Sequence, residues 1–240
     1  MNAQDARKLI KEGGVTEHLL KEMLGLYGVS VPKGVVVRSL PDRIDLRFPV
    51  VLKVSDPEIL HKTEVGGVKV GISSLADLRD EFSKMSGKFT GKDFLIEEMA
   101  DPGVEIIIGV LRDSNFGHVL MLGMGGIYTE LYNDVAFRLL PIERIDAEEM
   151  IEAVGIRRFV DGFRGKKISK PDLENLLISI SKMVVELGPE IKQLDLNPVI
   201  LSGNSAVVAD AKLLSDRSDQ ADQSYFSTSV SGKSPSEREG

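Results

Sequence analysis

Lys53 stands inside an apolar run, Pro-Val-Val-Leu-Lys-Val. There its ammonium could deliver a point charge to nucleotide phosphates. The plain alternative is a lysine on the wet face of an edge strand, since Leu52 and Val54 point the other way. Two glycine turns could bring backbone N–H groups close to a phosphate: Gly66-Gly67, ahead of a strand, and Gly123-Met124-Gly125-Gly126, at the end of one. Both also read as ordinary turns, and neither fits a Walker A or Rossmann fingerprint. Glu97, Glu98 and Met99 close a strand pattern, with Glu105 a turn later. They read equally as a solvated strand end or as a connector offering backbone groups to adenine and a carboxylate to ribose. Asp195 and Asn197 alternate onto one face of a strand pattern, and Asp210 follows another. Such an oxygen set suits magnesium, which keeps waters and phosphate oxygens as further ligands, although turn chemistry explains the same residues. Among the histidines, His61 in the polar loop Pro57–Glu64 is the one nucleophile candidate besides carboxylates. A simple loop histidine is its plain reading; His18 reads as a surface helix residue and His118 as a turn residue.

Among the elements that must position these residues, Thr16 can cap a helix over Glu17–Tyr27 closed by Gly28. Short β-branched runs at Val35–Arg38, Val50–Val54 and Gly67–Ile72 read as strands, followed by a helix from Leu75 to Met85. Phe94–Met99 and Val104–Leu111 flank an Ala-Asp-Pro-Gly turn, and Val119–Leu122 and Val135–Leu140 continue the β pattern. Leu173, Leu176, Leu177, Ile180, Met183, Val184 and Leu187 recur at steps of three and four behind Pro171, one apolar face of a long helix. Ile191–Leu196 and Ala206–Ala209 are the last strands expected. Hairpin-spaced strands mixed with helices predict α+β layers, with a break near residues 92–94 that gives lobes 1–93 and 94–214. From Ser215 to Gly240 the chain holds eight serines and four apolar side chains, a composition expected to stay disordered.

The 240 residues include no cysteine, which excludes disulfides, zinc ribbons, iron–sulfur clusters and thiol nucleophiles. A net charge of −7 without a basic stripe argues against nucleic acid. The N-terminus lacks an apolar signal core and no run suits a membrane span, so a cytoplasmic location is expected.

Taken together, PVVLKVSDPEILHKTEVGGVKVGI, IEEMADPGVEIIIGVLRDSNFGHVLMLGMGGIYTELYNDVAFRLLPI, LDLNPVI and VVADAKLL resemble the ATP-grasp β subunits of ADP-forming acyl-CoA synthetases, with acetate–CoA ligase the best-known activity. The resemblance spans about residues 10–214. It implies an ATP-grasp fold of two α/β lobes with the nucleotide between them, Mg²⁺, and ATP or ADP as substrate. It implies that Lys53 contacts nucleotide phosphates, that Gly66, Gly67, Gly125 and Gly126 lie near them, and that Glu97, Glu98 and Met99 form the adenine side, with Glu105 a ribose or phosphate contact. Asn197 and Asp210 match magnesium ligands, with Asp195 a third or supporting group; Arg138 matches a motif position of unassigned role. His61 matches the family's second phosphohistidine, which takes a phosphoryl group from a partner α subunit and passes it to ADP. The partner, carrying CoA-binding and the first phosphohistidine, is expected in an α₂β₂ heterotetramer. Two other readings are a different ATP-grasp carboxylate ligase and a non-catalytic nucleotide-sensing module.

Overall fold

A computed structural model describes residues 1–59, 61–125 and 134–216. Two helices open the chain, α1 (Ala3–Glu12) and α2 (Glu17–Leu26). Asn2 caps α1, its Oδ1 accepting from the Asp5 N–H at 3.0 Å, and Thr16 caps α2 as its type and position predict. α1 escaped the pattern reading because only Ala6 and Ile10 are fully buried on its ten residues.

The next segment builds a sheet in the order β1-β4-β2-β3, from β1 (Gly34–Val37), β2 (Val50–Ser55), β3 (Val68–Ile72) and β4 (Asp93–Glu98), all pairs antiparallel. Helix α3 (Leu75–Lys88) packs on it through Leu78, Phe82 and Met85, with Phe82 edge-on to Phe94. β2 lies between β4 and β3, so the edge-strand reading of Lys53 is overturned: the side chain is buried.

The second sheet runs β10-β8-β5-β6-β7, with β9 also paired to β8. Its strands are β5 (Val104–Asp113), β6 (Gly117–Met124), β7 (Val135–Leu139), β8 (Ile191–Ser202), β9 (Ser205–Val208) and β10 (Ala211–Ser215). Helices α4 (Arg144–Ala153), α5 (Arg157–Val160) and α6 (Lys170–Leu187) complete this lobe. Every residue of the apolar stripe read from Leu173 to Leu187 is buried in its core. On β7, Arg138 donates to Glu149 of α4 at 2.8 Å, a tie between sheet and helix.

Three boundaries differ from expectation. β4 pairs with both β1 and β2, so the passage between sheets falls at residues 99–103 rather than 92–94. The apolar faces of α1 and α2 join the core of the second sheet, although they precede the first sheet in sequence. Ser215 is buried in β10 rather than starting a loose tail, and Asp216 pairs with Arg112, because β8 supplies a ladder that composition cannot reveal. Residues 217–240 of the expected tail lie outside the described residues, as does Gly126.

Candidate functional site

The residues that gather between the sheets come from five places in the chain. β2 contributes Lys53 and β4 contributes Glu97. Helix α2 contributes Glu17 and Lys21, one helical turn apart, and the loop before β3 contributes Lys62. Asp210 and the Ala209 carbonyl come from the link between β9 and β10. Lys53 Nζ binds Glu17, reaches Asp210 Oδ1 at 3.0 Å and the Ala209 carbonyl at 2.9 Å, and lies 3.3 Å from Glu97 Oε2. Lys21 Nζ reaches both Glu97 oxygens, at 2.8 and 2.7 Å, Glu17 at 2.8 Å and the Ala209 carbonyl at 2.9 Å. Lys62 Nζ lies 3.1 Å from Glu17 Oε2. Three ammoniums thus meet three carboxylates, and the cluster is formally neutral.

Burial of these charges is tolerable only because they are paired and hydrogen-bonded. Burial alone would raise the pKa of Glu17, yet Lys53, Lys21 and Lys62 hold its carboxyl well below the usual range. Burial likewise opposes the Lys53 ammonium, but Asp210, Glu17 and Glu97 keep it charged far above neutral pH. Asp210 moves the other way: burial, and then the charge of Glu17, push it up against the pull of Lys53.

Asp195 and Asn197 share one face of β8, and β10 brings Lys212 opposite Asp195. The Asn197 N–H donates to the Asp210 carbonyl at 3.2 Å. Burial raises the Asp195 pKa to about 6; Lys212 opposes this and Asp210 adds to it. Two carboxylates and an amide on adjoining strands are oxygen donors of the type a hard divalent cation accepts, with phosphate and water filling the other positions. Among the described residues no group of three or more His, Asp or Glu forms a metal cluster by itself. A magnesium ion at this set would draw its remaining ligands from phosphate and water.

His61 lies in the loop over residues 61–67, its Nδ1 3.2 Å from Glu64 Oε1. This loop is fastened to β2 by its backbone. Gly67 donates to the Lys62 carbonyl at 2.6 Å, and Val54 donates to the Gly67 carbonyl at 2.8 Å. A Cβ on Gly67 would sit 2.6 Å from Val54 Cγ1, so only glycine fits, while Gly66 turns at φ +65°. Gly125 is similarly close-packed: its N–H donates to the Glu105 carbonyl at 2.9 Å, and a Cβ would meet that carbonyl carbon at 2.9 Å. The Glu105 side chain itself is exposed.

The expected adenine-side group divides. Alternation along β4 turns Glu97 into the lysine cluster, whereas Glu98 Oε1 accepts from the Arg47 N–H at 2.9 Å. The N–H groups of Glu98 and Met99 donate to Lys33 and Pro49, so neither backbone donor is spare. Pattern reading passed over Glu17, Lys21 and Lys62. A signal existed: Glu17 and Lys21 lie in the same i, i+3, i+4, i+7 stripe as Leu20 and Leu24, where a solvated pair has no place.

The sequence and the fold have counterparts in known proteins. A family described as the ATP-grasp domain matches residues 8–214. Over 208 residues the chain is 35% identical to the β subunit of ADP-forming acetate–CoA ligase I of Pyrococcus furiosus, covering 81% of this chain and 88% of that one. It is also 35% identical to the ADP-forming acetate–CoA ligase II of Archaeoglobus fulgidus, over 82% of this chain but only 30% of that longer one. Among solved structures, an acetyl-coenzyme A synthetase of Ca. Korarchaeum cryptofilum superposes with a TM-score of 0.76 at 34% identity, covering 89% of this chain and 100% of that chain. It holds coenzyme A and Mg-AMPPCP, with its phosphohistidine segment pointing towards the nucleotide binding site. In fold, in matched length and in identity, this chain belongs to the ATP-grasp family, with the β subunits of ADP-forming acyl-CoA synthetases.

Proposed function

We propose that this chain is the nucleotide-binding, phosphoryl-transferring β subunit of an ADP-forming acyl-CoA synthetase: acyl-CoA + ADP + phosphate ⇌ carboxylate + ATP + CoA. The observation that carries the proposal is the loop of His61, fastened beside a buried lysine cluster, in a chain that spans 88% of the Pyrococcus β subunit. Lys53 supplies positive charge for the nucleotide phosphates by exchanging one of its carboxylate partners for them, and the turns at Gly67 and Gly125 hold the adjoining backbone in place. Glu98, Met99 and Glu105 flank the purine and ribose end. Asp210, Asn197 and Asp195 would hold Mg²⁺, which neutralises charge on the transferring phosphoryl group.

The covalent step belongs to His61. With Glu64 accepting from Nδ1–H, the imidazole lone pair sits on Nε2. Nε2 attacks the γ-phosphorus of ATP; the N–P bond forms as the bond to the ADP oxygen breaks, and Nδ1 keeps its proton. The Glu64 carboxylate offsets the imidazolium charge that results. In reverse, ADP takes the phosphoryl group and neutral imidazole leaves. Positioning and charge neutralisation carry most of the catalysis in such transfers. An α subunit, in an α₂β₂ cytoplasmic assembly, supplies the CoA chemistry and the acyl phosphate. No helix among the described residues is long and apolar enough to cross a membrane.

Incubation of the chain with Mg²⁺ and γ-labelled ATP tests this. Acid-labile, base-stable label is expected on wild type and absent from His61→Asn, while nucleotide still binds both. Label retained on the Asn variant would remove His61 from the relay.

A further inference from the structure

We infer that Glu17 is a positioning residue that ties the loop carrying His61 to the lysine cluster, with Lys62 as the other end of the tie. The inference rests on the phosphoryl-relay reading above. Glu17 sits in the first turn of α2 and is 5% exposed. One of its oxygens serves Lys53 and Lys21; the other accepts from Lys62 at 3.1 Å. Among the described residues, it alone is ion-paired to both Lys53 and Lys62.

Lys62 is the residue after His61, and its backbone is already engaged by Gly67. The loop is therefore held twice, by backbone to β2 and by the Lys62 side chain to α2. The second hold matters because α2 packs in the core of the other lobe, beside β10 and the carboxylates expected to carry the metal. Glu17 thus places the histidine loop relative to the metal-bearing sheet rather than relative to its own sheet. Lys21 does not depend on Glu17, since both Glu97 oxygens lie within 2.8 Å of Lys21 Nζ, whereas Lys62 does. A charge-assisted bond that spans the two lobes fixes the distance a phosphoryl group must cross, and misplacement of about 1 Å in such a geometry costs up to roughly a hundredfold in rate.

The test measures two quantities on the isolated full chain: the rate of labelling by Mg²⁺ with γ-labelled ATP, and the affinity for Mg·ADP by calorimetry. Glu17→Gln and Lys62→Met should each slow labelling at least about tenfold while the ADP affinity stays within about threefold. Lys62→Arg, whose guanidinium still reaches Glu17, should restore labelling to within about threefold of wild type. The Glu17→Gln/Lys62→Met double variant should be no slower than Lys62→Met, because both remove the same tie. If Glu17→Gln does not fold, Lys62→Met and Lys62→Arg carry the test. Wild-type labelling rate in Lys62→Met would overturn the proposal. So would an affinity loss as large as the rate loss, which would place the effect on nucleotide binding. A wild-type chain that takes no label fails the relay reading itself, and the tie with it; a labelled wild type with unaffected variants fails the tie alone.

Discussion

Replacing Lys21 by methionine probes whether the buried cluster bolts the two lobes together. The ammonium is 3% exposed and makes the bidentate contact that joins α2, in the second core, to Glu97 of the first sheet. Removing it strands a carboxylate that is 2% exposed. Loss of one member of a buried pair typically costs about 3–5 kcal/mol. Lys53 stays 3.3 Å from Glu97 and compensates in part, which puts the expectation near the lower end, about 3 kcal/mol. For a chain of this size that corresponds to a fall of roughly 6–12 °C in Tm. Urea unfolding followed by circular dichroism at pH 7 gives the number directly. Adding Glu97→Gln to the same chain removes the stranded charge, so the double variant should regain about 2 kcal/mol relative to the sum of the singles. A loss under about 1 kcal/mol for Lys21→Met, or additivity within about 0.5 kcal/mol, would show that the pair is not coupled as the geometry requires.

Other consequences are as concrete. Gly67→Ala should cost about 1–3 kcal/mol and slow labelling of His61, because the new methyl meets Val54 at 2.6 Å; a neutral effect in urea titration would mean that the loop has room. Asp195→Asn should alter the pH dependence of stability in metal-free buffer. The folded pKa of about 6 lies above the ordinary carboxyl value of 3.8, so this group's contribution is complete below about pH 4 and is lost as pH rises to about 6. The variant should therefore gain on wild type across that window and run parallel to it above; parallel curves throughout would refute the shift. Ending the chain at Leu214 rather than Asp216 should lower stability by about 1 kcal/mol, since it removes buried Ser215 and the Arg112–Asp216 pair; equal melting temperatures would make that last turn of β10 dispensable.

Much of this was legible in residue order, and the exceptions share a cause. The helix stop at Gly28, the cap at Thr16 and the stripe from Leu173 to Leu187 depend on near neighbours, and each produces the element it predicts. α1 shows too little apolar stripe to be seen, and β10 follows residues that read as a turn. At the site, Lys53 and Asp210 were singled out by type, but their contact spans 157 positions and depends on how β2 meets the β9–β10 link. Glu17 and Lys21 resemble the i, i+4 pair of an exposed helix. Docking of α2 against β10, with Glu97 of the first sheet alongside, buries them, and that docking is a property of the assembled lobes. Glu97 was noticed for a different surface, since a short pattern does not say which face of β4 turns inward.

The routing of the chain bears on how the protein is made. Residues 34–98, which build the first sheet with α3, are contiguous and can close as soon as they leave the ribosome. The apolar faces of α1 and α2 emerge earlier, yet the strands that cover them arrive late: 185 positions separate Leu26 from Ala211. During that interval Leu20, Met23 and Leu24 have α1 beside them but lack β8 and β10, an incompletely covered apolar face of the kind that invites early, wrong collapse. Glu17 and Lys21, which later enter the cluster, put charge on that same face until β8 and β10 exist to receive it.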